Sequence, residues 1–100
     1  MLHDNREVYA RALWDEIKRA ATLGDDRELW FVWKKNFASR FWRDLGAAGI
    51  GALCRDAGID YADILRRITV YDMSLDKDSR EVEEQRVRDS QRWEAAARIH

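Results

Sequence analysis

The chain has 100 residues, 46% hydrophobic and 37% charged, with a formal net charge of -1. That is one domain's worth of chain with enough apolar content for a real core, and its near-neutrality excludes a surface given over wholly to a polyanion, leaving at most a local basic face. Cys54 stands alone, which excludes an intramolecular disulfide, and the longest apolar run, "LWFVW" at Leu29–Trp33, is too short to cross a bilayer.

"MLHDNREVY" offers no apolar stretch of the kind a leader needs, so the expectation is a soluble cytoplasmic protein. The sequence contains no proline, and the absence of the strongest helix breaker fits a chain made mostly of helix. Asp4 with Glu7 reads as an N-terminal box opening a first helix. Tyr9, Leu13, Ile17 and Ala20 or Ala21 repeat at helical spacing, widened by Ala10 and Trp14. Arg11, Asp15, Glu16, Lys18 and Arg19 cover the other side, and Gly24 is the expected stop.

Asp25 with Glu28 repeats the box and predicts a second helix from Asp26 to Leu45. Its stretch "ELWFVWKKNFASRFWRDL" holds three of the five tryptophans and all three phenylalanines. Aromatics and valine also favour strands. However, Trp30, Trp33, Phe37, Phe41 and Leu45 step by three and four, with Phe31, Ala38 and Trp42 beside them, which predicts a helix. The apolar arc is wider than one surface helix needs, so this helix is expected at the centre, covered on more than one side.

Gly46 closes that helix, and Gly49 and Gly51 loosen the entry to a short third one with Ala52, Leu53, Cys54 and Ala57 on its inner face. Gly58 turns the chain. Asp60 with Asp63 opens a fourth helix carrying Ile64, Leu65, Ile68 and Tyr71. Beyond Asp72 the segment is polar, with Val82, Val87, Trp93, three alanines and Ile99 as sparse anchors. Pairs such as Glu84 with Arg88 allow a helix there, and such a helix is usually solvated or completed by a partner. The expected fold is all-α: a compact bundle of four to five helices with a helix-turn-helix-like corner and a polar C-terminal helix. It divides into a core domain over 1–72 and a charged helix or tail over 73–100.

The corner carries the most specific pattern. "ALCRDAGIDYADILRRI" resembles the helix-turn-helix motif, with Leu53 and Ala57 at inner sites, Cys54 where the helices touch, Gly58 in the turn, Ile59 after it, and Ile64 packing back. The resemblance implies a nucleic-acid face in which Arg55, Tyr61, Arg66 and Arg67 are the candidate contacts to double-stranded DNA. Asp60, Tyr61, Ala62, Leu65, Arg66 and Thr69 are expected to point outward with Asp63 nearby. Acids there meet phosphate repulsion, and only Arg66 suits a bidentate base contact.

The aromatic-basic stretch reads as core, with room for Phe31 or Trp42 to remain outside. An exposed ring flanked by Arg40 and Arg43 is typical of a protein interface. Phe31, Arg40, Trp42, Arg43 and Trp93 are therefore the candidate protein-binding residues. Asp72, Ser74, Asp76 and Glu83 fall at calcium-loop spacing, but Lys77 stands where the loop needs glycine, so the segment reads as a polar connector. His3 and His100 sit at the chain ends, and neither a nucleophile–base arrangement nor a zinc site can be assembled from them. No catalytic residue, metal or cofactor is expected.

The compact, proline-free, Trp- and Arg-rich chain bearing "LCRDAGIDYADILRRI" resembles small proteins encoded by bacteriophages and other mobile elements. That resemblance implies a stoichiometric binding role in the host cytoplasm, as a regulator, an inhibitor of host machinery such as CRISPR complexes, or a minor virion component. Two classes stand side by side: a binder of a protein or nucleoprotein partner, and a helix-turn-helix DNA-binding regulator, a possible homodimer through its tail. The second needs Arg40, Arg43, Arg55, Arg66 and Arg67 on one face. The first leaves them dispersed or paired with acids.

Overall fold

The computed structural model describes the backbone over residues 2–37 and 40–99 and the side chains over 11–36 and 42–93. Expectations placed on the side chains of His3, Asp4, Glu7, Tyr9, Ala10, Phe37, Arg40, Phe41, Ile99 and His100, on Ala38, and on the alanines beyond Trp93 lie outside them. Five helices are present among the described residues: α1 (Leu2–Leu23), α2 (Asp26–Phe37), α3 (Arg40–Asp56), α4 (Tyr61–Ser74) and α5 (Lys77–Ile99). The fold is all-α, as the spacing predicts.

In α1 the stripe Leu13, Trp14, Ile17, Ala20 and Ala21 is buried while Arg11, Asp15, Glu16, Lys18 and Arg19 stay in solvent. The helix ends as expected. Gly24 donates its amide to Ala21 O (3.3 Å) and Asp25 to Ala20 O (3.1 Å), the paired bonds of a Schellman stop. Asp25 Oδ1 then accepts from the Glu28 amide (3.1 Å) and caps α2. The reciprocal half of the expected box is absent. The Asp25 amide is already used, and the Glu28 carboxylate instead receives Arg86 Nη2 at 2.9 Å.

The central helix is α2, which touches each of the other four. Leu29, Trp30, Phe31 and Val32 are buried in succession, so this helix is covered all round, and that accounts for its wide apolar arc. Helical backbone is present over Asp26–Phe37 and again from Arg40. At Gly46 the backbone leaves helical geometry (φ 64°, ψ 179°), a conformation that needs glycine, and the chain bends between two helical stretches of α3. Gly49 and Gly51 do not loosen an entry. Both lie inside the helical run after the bend, and a Cβ on Gly49 would come within 2.9 Å of Leu45 Cδ2.

The segment after Asp72 was expected to lack a core of its own, and α5 supplies the core with little beyond Val87. Its seat on α2 and α4 is polar instead. Glu83, only 4% exposed, receives Arg27 Nη2 at 2.8 Å, Arg27 Nε at 3.2 Å and Tyr71 Oη at 3.1 Å. Asp72 Oδ1 accepts from Trp30 Nε1 (3.0 Å) and Arg80 Nη1 (2.9 Å). The Arg86 guanidinium lies 3.8 Å from the centre of the Phe31 ring, and Gln91 Nε2 donates to Lys35 O (3.1 Å). These bonds replace the apolar stripe that a helix of this length ordinarily uses.

Candidate interaction surface

The helix-turn-helix-like corner is built from the second stretch of α3 and from α4. Gly58 donates to Arg55 O (3.1 Å) and Ile59 to Cys54 O (2.8 Å), which ends α3. Asp60 Oδ1 accepts from the Ala62 amide (3.0 Å) and starts α4. Cys54 and Ile64, both fully buried, and Ile68 join the core, with Leu53 and Ile59 packed against it. Ala57 departs from its expected inner site and is exposed. Burial, with the nearby Asp60 charge, pushes the Cys54 thiol above its ordinary range.

The outward side of α4 presents Ala62, Leu65, Arg66, Thr69, Val70 and Met73. Val70 is 57% and Met73 77% exposed, so this helix carries a second apolar face beside the Ile64–Ile68 one. The sequence signal for it is the recurrence of Leu65, Thr69 and Met73 at steps of four. The single cation on this face, Arg66, is bonded to Asp63 one turn before it.

Arg67 is not on a reading face. Its side chain is 15% exposed, and it donates to Asp26 Oδ1 (2.7 Å) and to Ala21 O (3.1 Å), fastening α4 to the α1–α2 turn. The aliphatic residue expected at that register is replaced by an ion pair that is buried only on its Arg67 side. Tyr61 is half-buried against Trp33, with ring centres 6.4 Å apart, while Arg55 is exposed at the end of α3. Arg40 lies outside the described side chains.

Of the rings that the arc leaves room to expose, Phe31 or Trp42, both are inside. Phe31 is buried beneath Arg86 and Lys35, and Trp42 is buried against Trp33 at 5.7 Å. Periodicity assigned them to the edge of the arc, but helices pack on both edges. Arg43 and Trp93 are exposed, Trp93 at 77%. Arg43 borders a groove of about 260 Å³ between α2, α3 and α4, walled by Trp33, Trp42, Tyr61 and Ile50.

No protein-family model, curated protein or solved structure matches the chain. The carboxylates at calcium-loop spacing are all engaged elsewhere: Asp72 with Trp30 and Arg80, Asp76 with the Ser79 amide at 2.7 Å, and Glu83 with Arg27 and Tyr71. Among the described residues no group of three His, Cys, Asp or Glu side chains is placed to hold a metal ion, and no helix is long and apolar enough to cross a membrane.

Proposed function

We propose that this chain works without catalysis, by stoichiometric binding to a protein or nucleoprotein partner. Its place of action in this proposal is the cytoplasm, that of a host cell if a phage or mobile element encodes it, where it acts as an inhibitor or regulator. The observation that carries the reading is the outer face of α4, where Leu65, Thr69, Val70 and Met73 stand in solvent and the one cation is neutralised by Asp63. A helix that reads DNA must bring cations to phosphates and base edges. An exposed apolar helix face fits instead the kind of patch through which proteins meet proteins.

The corner geometry itself favours the second reading, a helix-turn-helix regulator of DNA, for which Arg55 at the end of α3 is an exposed candidate cation with no acidic partner among the described residues. A photo-crosslinking residue at Thr69, introduced in the cell that carries the gene, distinguishes the two. The proposal expects adducts with one protein at discrete mass, lost in Met73→Glu. Adducts with nucleic acid, or none with protein, would overturn it.

A further inference from the structure

The groove bordered by Arg43 opens beside ring contacts that belong to the core, Trp33 with Trp42 and with Tyr61, and its size, walls and charge each restrict what enters. At about 260 Å³ it falls below the roughly 300–1,000 Å³ of ordinary small-molecule sites and matches one large side chain. Trp33 is tilted 37° from Trp42 and 35° from Tyr61, so the rings form a splayed wall that accepts a flat group. Gly46 and Ala47, the smallest lining residues, leave room beside them.

Charge decides the rest. Among the described residues no carboxylate lines the groove, and Arg43 is an exposed guanidinium with no acidic partner there. A quaternary ammonium would gain from the rings and lose from Arg43, whereas an aromatic ring beside a carboxylate gains from both. We infer that this groove seats one aromatic side chain of a protein partner, next to a carboxylate that pairs with Arg43. The inference rests on the protein-binding proposal and names the chemistry of the segment the partner presents: an aromatic residue adjoining Asp or Glu. A pocket that buries an aromatic anchor is the kind of place where interface energy concentrates.

The test uses the full chain, labelled with nitrogen-15, and two blocked dipeptides, N-acetyl-Trp-Glu-amide and N-acetyl-Trp-Lys-amide. Saturable shifts at the Trp33 and Trp42 indole and Ile50 amide resonances are expected with the Glu dipeptide. Binding should be about fivefold tighter than for the Lys dipeptide, a ratio within the reach of an exposed ion pair. Arg43→Gln, a surface change, should abolish the preference, and Ala47→Trp should block both ligands. No saturable shift, equal affinity for the two dipeptides, a preference that survives Arg43→Gln, or tighter binding of tetramethylammonium would each overturn the inference. Because the titration needs no partner, its failure removes the groove alone. The Thr69 crosslink decides the protein-binding proposal separately.

Discussion

Replacing Glu83 by glutamine probes the joint that seats α5. The carboxylate is nearly buried and receives Arg27 through both Nε and Nη2 and Tyr71 through its hydroxyl. Glutamine keeps the shape and can still accept from Tyr71, but its neutral oxygen loses the charge assistance. Charged hydrogen bonds contribute about 1.5–3 kcal/mol against about 0.5–1.5 for neutral ones. The Arg27 side chain is 58% exposed and regains water when released, so the lower part of the difference applies, about 1 kcal/mol. For a domain of this size that lowers the melting temperature by roughly 4–8 °C.

The pH dependence has a fixed sign. Hydrogen bonds from Arg27, foremost, hold the Glu83 carboxyl below its ordinary value of 4.5, with help from Tyr71 and against the opposing effect of burial. A group whose folded pKa is depressed stabilises fully above its unfolded value and loses that contribution as pH falls through the folded one. The gap between wild type and Glu83→Gln should therefore be full near neutrality and shrink below about pH 4.5. Circular dichroism melts at pH 7 and in acid measure it, and hydrogen exchange should show α5 amides losing protection before those of α2. Equal melting at neutral pH, or a gap that widens in acid, would refute the reasoning.

Three further outcomes follow from single sites. Ile64 is fully buried, so Ile64→Ala should cost about 2–5 kcal/mol in a denaturant titration; a loss near zero would mean the corner is not packed as described. Gly58 sits at φ 71° with open space around it, so Gly58→Ala acts by strain alone and should destabilise by about 1 kcal/mol on the same titration. A neutral result would contradict the turn. The Cys54 thiol, buried and pushed up by that burial, should react slowly with iodoacetamide in the native state and promptly in denaturant; fast native labelling would contradict its placement.

Much of this architecture was legible because local signals agreed with the tertiary outcome. The stops at Gly24 and Gly58, the cap at Asp60, the stripe from Leu13 to Ala21 and the central place of the Trp30 helix all follow from spacing and turn chemistry. The seat of α5 was not legible. Hydrophobic periodicity counts apolar residues, whereas Glu83, Arg80, Arg86 and Gln91 hold this helix through partners up to 58 positions away in the chain. Phe31 was misplaced for the same reason, since the guanidinium that covers it is polar in sequence and a lid in space. Arg67 reads as a candidate contact in the sequence because its partners, Asp26 and Ala21 O, lie two and three helices earlier. The groove beside Arg43 depends on the bend at Gly46, which the sequence marks only as a helix end.

The most direct test of the central claim, that the corner serves a protein contact and does not read DNA, is light-scattering chromatography with and without mixed-sequence duplex DNA in about 50 mM salt, where phosphate contacts are strongest. The account predicts the same mass and elution position in both runs. A shift with DNA that disappears as salt is raised, and that Arg55→Ala or Arg66→Ala abolishes, would contradict it and make the chain a helix-turn-helix DNA binder.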